Sequence, residues 1–381
     1  MKLIFWQPIN SIHQAATLRS LAADHGHEVH LVARSDLGER HANGWSVPDL
    51  SPAVFHDLAT IDPVAFLEQQ HSSGEALSIF ANAFGDRLYR NLWRICQARG
   101  FTFGFQQARP GTYSGALSRL ARHLLYRLVF RGRARAAKLI LCNGTLCSDW
   151  LAGAGFARNQ LIDWGYFPEV PQLTARPKER ATGLRCLFVG RLVTYKRPEL
   201  VLRAVAAVRQ RHPTITLSIL GDGPLAAELD ALGAQLLGPA YQRHPFVPHA
   251  EVQGFIRAAD CLVLPSSQEE WGAVVNEAIL AGTPVVCSVH CGSRDLLRRG
   301  GGTIFIPDTQ AGLATALAAY IEQPETLATA RERCRAIAPL ITPEAAAAYL
   351  SAAISARLAD RVAPRAPWLT ESPNGGNADV G

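Results

Sequence analysis

Strand and helix patterns alternate along most of this 381-residue chain. In the clearest unit, the apolar run 184–189 leads directly into a helical pattern whose apolar residues, from Val201 to Val208, recur on one face. Pro198 lies where the first turn of that helix is expected, a position that suits proline. Strands that alternate with helices form parallel sheets, so the sequence predicts an α/β protein. A chain of this length predicts two domains, each large enough for its own core.

Composition divides the chain into two domains, a last helix and a tail. We assign residues 1–168 to the first domain and 169–345 to the second, which the polar stretch 174–182 links to the first. A helix at 342–358, capped by Thr342, is predicted next. From 362 to 381 the proline, glycine and polar content predicts a disordered tail. In the first domain the predicted strands are 3–7, 28–33, 102–106 and 138–142, and the predicted helices include 15–25 and 117–130.

Two carboxylates stand eight positions apart in the second domain. Glu269 follows the apolar strand 261–265, and Glu277 lies inside a helix that begins near Ala273. Ligands of α/β sheets bind beyond the carboxyl ends of the strands, so we expect Glu269 at that crevice and Glu277 pointing back toward it. Acids held so far apart suit a polyol better than a metal, whose ligands must converge on one point. The alternative is that both are solvated acids favoured by a helix N-terminus.

Cations and glycines occupy the loops that precede this segment. Arg191 and Lys196 lie between a strand and a helix, on the crevice side of the sheet. Two fixed cations there would neutralise a diphosphate and stabilise one that is leaving. The alternative is a pair of solvated loop cations. The loop Gly221-Asp222-Gly223-Pro224 follows another strand and allows a close approach of the backbone.

Together these loops resemble the retaining, nucleotide-sugar-dependent glycosyltransferases of family 4. The resemblance covers roughly residues 183–310, with the elements in the family's order and spacing. The matching residues are Gly190-Arg191-Leu192 with Lys196-Arg197-Pro198, the loop 221–224, Glu269-x7-Glu277, the run Ala281-Gly282-Thr283-Pro284-Val285-Val286, and Gly292. Family 4 enzymes have the GT-B fold, in which two Rossmann-like, doubly wound domains face each other across a cleft. In such proteins the final helix commonly crosses back to the first domain.

The resemblance implies a role for each matching residue. Arg191 and Lys196 would hold the donor diphosphate and stabilise its departure, Glu277 would bind the ribose hydroxyls, and Glu269 a hydroxyl of the transferred hexose. The other donor-binding positions implied are Gly190, Gly221, Gly223, Trp271, Gly272, Ala273 and Val274, the last four through backbone amides near a helix N-terminus. No metal or other cofactor is expected, because these cations and the helix end supply the positive charge. The acceptor would enter from the first domain, and closure of the cleft would exclude water.

The first domain departs from the family in two places. Many members have a glycine-rich loop after the first strand, and many carry a histidine on a central loop, but residues 7–14 and 105–110 have neither feature. His13, on the first strand-to-helix loop, is our acceptor-side candidate, and Gln107 and Arg109 on a later crevice loop are weaker ones. For His13 the alternative is a helix-terminal residue with no role.

Basic charge is concentrated in one stretch of the first domain. Residues 87–148 contain no Asp or Glu but eleven arginines and Lys138, which leaves a net charge of −6 on the rest of a +6 chain. Leucines recur there at helical spacing with arginines on the other side, so the stretch from Arg119 to Lys138 is typical of a helix that lies on an anionic membrane. One alternative is a core-facing helix with a solvated basic face. Another is binding to nucleic acid, although no known nucleic-acid-binding module matches the sequence.

Composition favours a reduced, cytoplasmic enzyme on the inner face of the cell membrane. The chain is 48% hydrophobic and 18% charged, its eight cysteines show no paired framework, and no signal peptide or membrane span is expected. Cys287, His290 and Cys291 are spaced like metal ligands, but packing beside a strand is favoured. The prediction is a hexosyltransferase that uses a UDP- or GDP-sugar and a glycan or lipid-linked acceptor, by analogy in a bacterial cell-envelope or polysaccharide pathway. The alternatives are a non-catalytic nucleotide-sugar-binding scaffold and a GT-B epimerase or phosphorylase.

Overall fold

A seven-stranded parallel sheet forms the centre of the first domain. The computed structural model of the protein describes residues 1–35, 47–110, 116–169, 183–245, 247–306 and 308–370. The strands are β1 (Lys2–Ile9), β2 (Glu28–Arg34), β3 (Val54–Asp57), β4 (Ala76–Ala81), β5 (Phe103–Gln107), β6 (Ile140–Asn143) and β7 (Leu161–Trp164), in the order β3-β2-β1-β4-β5-β6-β7. Central strands such as β1 and β4 are buried on both faces, which is why their sequences are continuously apolar.

A six-stranded parallel sheet forms the second domain. Its strands are β8 (Arg185–Val189), β9 (Thr216–Leu220), β10 (Tyr241–His244), β11 (Cys261–Leu264), β12 (Val285–Ser288) and β13 (Gly302–Phe305), in the order β10-β9-β8-β11-β12-β13. The order reverses direction between β8 and β11, so their carboxyl ends border the crevice at a topological switch point. The two parallel sheets confirm the predicted α/β class with two Rossmann-like domains.

Helices cover the two sheets. Those of the first domain are α1 (Ala15–Ala23), α2 (Pro63–Ser72), α3 (Arg87–Arg99), α4 (Ala116–Leu125), α5 (Arg131–Ala134) and α6 (Thr145–Gly153), and a π-helical turn, Tyr126–Phe130, joins α4 to α5. Those that follow are α7 (Pro198–Arg209), α8 (Ala226–Leu237), α9 (His249–Ala258), α10 (Ala273–Leu280), α11 (Gln310–Glu322), α12 (Pro324–Ile337) and α13 (Pro343–Leu358). Shorter 3-10 turns include Thr194–Lys196, Gly292–Arg299 and Pro367–Leu369.

The last long helix, α13, lies against the first domain. The Thr342 hydroxyl caps it by accepting from the Ala345 amide at 3.2 Å. Its Ser351 hydroxyl meets His27 Nε2, at the end of α1, at 2.8 Å, and Arg357 Nε donates to the Lys138 carbonyl at 3.4 Å. The two domains are therefore joined both by the linker and by this helix.

The expectation of disorder from residue 362 onward is wrong for its first part. Trp368 is fully buried, with its ring 4.7 Å from that of Phe167 and 5.3 Å from that of Tyr349. The proline-rich composition of the segment did not indicate that Trp368 would be buried. Burial of its large aromatic side chain holds this short segment against the protein. Residues 371–381 and the linker 174–182 lie outside the described residues.

In the part of the chain that the structure describes, no single helix combines the length and apolar composition needed to cross a bilayer. One pair, Pro324–Leu340 and Pro343–Leu358, meets both criteria together but is bent by 52°.

Candidate active site

Lys196 and Glu269 meet at the crevice. Lys196 ends the 3-10 turn after β8, and its Nζ forms an ion pair with Glu269 Oε2 on the loop after β11. Ser266 Oγ donates to the same carboxylate oxygen at 3.1 Å. The two side chains are only 16% and 14% exposed, so the pair is largely desolvated. Neighbouring strands bring these residues together although 73 positions separate them.

Arg191 and Arg197 have different surroundings despite their shared loop. Arg191 is exposed, and in the described part of the chain no hydrogen bond or ion pair engages its guanidinium. Arg197 has a left-handed backbone (φ +51°), donates from Nε to the Pro265 carbonyl at 2.6 Å, and binds Asp308 through both terminal nitrogens at 3.2 and 2.5 Å. Arg191 is thus available to an incoming anion, whereas Arg197 holds the loop in place.

Glu277 is buried inside the second domain, near the start of α10. It is 5% exposed, and burial raises the pKa of its carboxyl to about 7. Gln253 Nε2 of α9 donates to Glu277 Oε2 at 3.3 Å, while Gln253 Oε1 has no partner among the described residues. Since Glu269 and Glu277 are both withdrawn from water, the alternative of two solvated helix-end acids is wrong.

The three loop glycines let the loops after β8 and β9 pack closely. Gly190, Gly221 and Gly223 all have positive φ angles, between 150° and 155°. A Cβ on Gly221 would clash with the Gly190 carbonyl oxygen, and one on Gly223 would lie 2.6 Å from the Leu192 carbonyl oxygen. Glycine is therefore required at 221 and 223 by loop–loop contact, and a role for the three glycines in donor binding stays a prediction.

The Trp271 side chain faces the junction between the domains. It is 1% exposed, and its indole Nε1 donates to the Tyr166 carbonyl at 3.1 Å and to Asn276 Oδ1 at 2.8 Å. A side chain on Gly165 would overlap the Trp271 ring. Only the main chain of Trp271 is thus left for a ligand. Gly272 (φ +92°) then turns the chain into α10, whose first residues are Ala273 and Val274, and their predicted amide contacts remain untested.

Asp295 joins the two domains, a role that its surroundings in the sequence do not predict. Its carboxylate, fully buried in the turn Gly292–Arg299, accepts from the Thr145 amide at 2.6 Å and from the Thr145 hydroxyl at 2.7 Å, so it caps α6 of the first domain. Beside it, a Cβ on Gly144 would lie 2.7 Å from the Gly292 carbonyl oxygen. No local pattern reveals a cap whose helix lies 150 positions away.

The acceptor-side candidates lie on loops of the first domain. His13 is half-buried between β1 and α1. Gln107 ends β5, is 6% exposed, and accepts from Cys147 Sγ at its carbonyl at 3.3 Å. Arg109, two positions further on, is half-buried; burial first, and then the charge of Arg294 in the second domain, lowers its pKa. Among the described residues, no hydrogen bond or ion pair links Gln107 or Arg109 to Lys196 or Glu269.

Metal ligation has no support in the described ranges. They contain no group of three or more His, Cys, Asp or Glu side chains arranged to hold an ion. Of the spaced trio, His290 Nε2 pairs with Asp308 at 3.2 Å and Cys291 Sγ donates to the Trp271 carbonyl at 3.2 Å. Cys287 is buried in β12.

Comparison with known proteins identifies the second domain. The sequence model of the family described as "Glycosyl transferases group 1" matches residues 172–338. Residues 172–338 are therefore similar to group 1 glycosyl transferases. The glycogen synthase of Mycobacterium tuberculosis (strain CDC 1551 / Oshkosh) is 31% identical over 238 residues, which are 61% of this chain and 56% of that protein. The D-inositol 3-phosphate glycosyltransferase of Arthrobacter sp. (strain FB24) is 32% identical over 163 residues, 40% of this chain and 39% of that protein.

The structural comparison extends beyond residues 172–338. The structure of Anabaena Alr3699/HepE in complex with UDP and glucose has a TM-score of 0.69 and 16% identity, and covers 93% of this chain and 100% of that one. At this identity the likeness concerns the fold, and it confirms the predicted GT-B arrangement. The chain spans only 39% to 56% of the two curated relatives named above.

Proposed function

We propose that the chain is a retaining family 4 glycosyltransferase that moves a hexose from a UDP- or GDP-sugar to a membrane-associated glycan or lipid-linked acceptor. The observation that carries this proposal is the desolvated Lys196–Glu269 pair, beside the exposed Arg191, at the switch point between β8 and β11. A scaffold has no need of a cation and an acid held together where a donor would bind. The UDP bound to a protein of the same fold supports a nucleotide-sugar donor.

Donor binding would rearrange the pair. The diphosphate carries more charge than Glu269 and would draw Lys196 and Arg191 to itself, since such charge-assisted contacts are the strong ones. Glu269 would then be free to accept a hydrogen bond from a hexose hydroxyl, while Glu277 would accept from the ribose hydroxyls. Each carboxylate would hold one end of the donor.

The chemical step exchanges one bond at the anomeric carbon for another. The bond from that carbon to the diphosphate oxygen breaks, and the acceptor oxygen forms its bond from the same face, so the configuration is retained. The acceptor's proton passes to the departing phosphate, which makes a protein base unnecessary. Lys196 and Arg191 stabilise the negative charge that grows on the leaving group.

A nucleotide-binding panel tests the donor site. We expect calorimetry with UDP, GDP, dTDP and ADP to find one tight binder, to find it without Mg²⁺, and to lose it in Glu277→Ala. Glu332→Ala, which changes an exposed glutamate of α12, is the matched control and should bind as the wild type does. Failure of all four nucleotides to bind the wild-type protein would contradict a nucleotide-sugar donor site.

The membrane part of the proposal rests on exposed leucines beside arginines. Leu117 and Leu128 are 84% and 75% exposed, and Leu120, Leu124 and Leu125 are exposed as well. The alternative in which these leucines face the core is therefore wrong, although Tyr126 and Phe130 of the same segment are buried. Arg119 and Arg127 are exposed on the same segment, so an anionic lipid surface matches both its apolar and its basic residues. This face would hold the protein on the inner surface of the cell membrane.

Vesicle sedimentation tests this docking. Replacement of Leu120, Leu124 and Leu128 by Ser should release the protein from vesicles of anionic phospholipid. Each leucine that is buried in the lipid contributes about 1.5–3 kcal/mol to binding, which serine does not. Arg119→Glu with Arg127→Glu should weaken binding further, by about 1 kcal/mol for each cation removed. Val362→Ser, at another position that is 82% exposed, is the control. Full binding by the triple serine variant would rule out this surface.

A further inference from the structure

Two arginines that the proposed mechanism does not use, Arg109 and Arg294, lie on loops that meet across the cleft. Cys147 of α6 bonds the carbonyl of Gln107, which places the start of α6 beside the end of β5, and Arg109 lies two positions further on. Thr145 of the same helix bonds Asp295, whose chain neighbour is Arg294. These contacts bring the loops after β5 and β12 together.

The Arg294 side chain is held on the cleft side of its turn. Its Nη1 donates to the Val289 carbonyl at 2.7 Å, which keeps the guanidinium beside His290. His290 in turn pairs with Asp308, and Asp308 is shared with Arg197. The Asp308 carboxylate is therefore already engaged by both His290 and Arg197.

Arg109 and Arg294 bring two positive charges to this part of the cleft. In the described part of the chain no carboxylate pairs with Arg109 or Arg294, although both side chains are half-buried. Burial lowers the pKa of His290, and although Asp308 acts in the opposite direction, Arg109, Arg197 and Arg294 lower it further. Two half-buried charges of the same sign are unfavourable unless an anion lies between them. Arg109 and Arg294 therefore form a pair to which an anion would bind favourably.

We propose that Arg109 and Arg294 form a second anion site, distinct from the diphosphate site, that binds a phosphate group carried by the acceptor. An arginine guanidinium can donate two parallel hydrogen bonds to the oxygens of one phosphate. Two guanidinium groups from opposite domains would enclose a single phosphate group. The donor diphosphate has its own cations, Arg191 and Lys196, at the end of β8. The acceptor class inferred here, a phosphorylated sugar or polyol, rests on the proposed glycosyl transfer. Since one arginine comes from each domain, such an acceptor would also favour the closed cleft.

The test measures inorganic phosphate binding after the donor site has been filled. The full chain is saturated with UDP, or with whichever nucleotide of the panel binds, and phosphate is then titrated calorimetrically. We expect phosphate to bind, and Arg109→Ala and Arg294→Ala each to weaken it roughly tenfold or more, since each removes a charged hydrogen-bonding partner. Both variants should bind the nucleotide within about twofold of the wild type. Arg191→Ala should show the opposite pattern, with weaker nucleotide binding and unchanged phosphate binding.

The outcomes separate this site from the donor site. Phosphate binding that persists in the Arg109→Ala/Arg294→Ala double variant, or that is absent beside a bound nucleotide, would overturn the second site. Tighter binding of glucuronate than of phosphate would overturn the assignment to phosphate. If no nucleotide binds the wild-type protein, the proposed function is contradicted but the second anion site is not. Phosphate binding to that site can then be measured without nucleotide. Thermal unfolding supplies the folding check: Arg109→Ala should leave the unligated melting temperature unchanged or raised, since it relieves repulsion, whereas Arg294→Ala also loses the hydrogen bond to the Val289 carbonyl. Both variants should lose the increase in melting temperature that phosphate produces.

Discussion

Lys196→Ala is expected to lower kcat/KM for hexosyl transfer by roughly 10²–10³-fold. Lys196 is the cation already held at the crevice, and its loss removes charge stabilisation from both the bound and the departing diphosphate. Nucleotide affinity should therefore fall together with turnover. The measurement is steady-state kinetics with the donor that the panel identifies, accompanied by calorimetry of the free nucleotide.

Two further variants separate charge from folding in this experiment. Lys196→Ala leaves Glu269 largely buried without its partner, so the double variant Lys196→Ala/Glu269→Gln shows whether an unpaired carboxylate contributes to the loss. Arg203→Ala removes an exposed cation from α7, the helix that follows, and should behave as the wild type. Kinetics of Lys196→Ala within about twofold of the wild type would remove this lysine from the site.

Local patterns were enough to predict the crevice of the second domain. The run 184–189 and the helix from Pro198 match β8 and α7 to within a residue or two, and Ala273 begins α10 as expected. The Lys196–Glu269 contact then follows from the order of β8 and β11, because loops at the ends of neighbouring strands meet. What was predictable is therefore what depends on short-range periodicity and on the rules of parallel sheets.

The features that sequence did not predict depend on distant partners. Strands β3, β4 and β7 were missed, and of these β3 and β7 lie at the edges of the sheet and lack a continuous apolar run. Asp295 looks like any acid in a turn until α6 is placed above it. The leucines of α4 have the spacing of a core face and yet are exposed, which sequence cannot distinguish from burial. Trp368 seemed part of a disordered tail because its pocket is built by Tyr349 of α13 and by Phe167, which is far away in the chain.

Glu277→Gln is expected to stabilise the ligand-free protein while it weakens nucleotide binding. Burial raises the pKa of Glu277 from 4.5 to about 7, so between those values the folded state keeps a proton that the unfolded chain has released. Wild-type stability should therefore fall as pH rises through this window, and the whole penalty remains above pH 7. At 1.36 kcal/mol per unit of pKa, the glutamine variant gains at most about 3 kcal/mol at pH 8 and almost nothing at pH 4.5.

Urea unfolding of both proteins from pH 5 to pH 8 measures this gain, and their difference cancels the contribution of every other titrating group. Nucleotide affinity should have the opposite pH dependence, because only the carboxylate accepts hydrogen bonds from both ribose hydroxyls. Wild-type affinity should rise as pH approaches about 7 and then level off, whereas that of Glu277→Gln should be weak and independent of pH in this range. A stability difference that stays constant from pH 5 to pH 8 would show that Glu277 is ionised throughout. If the gain and the loss occur together, the buried carboxylate is retained for its ligand at the expense of stability.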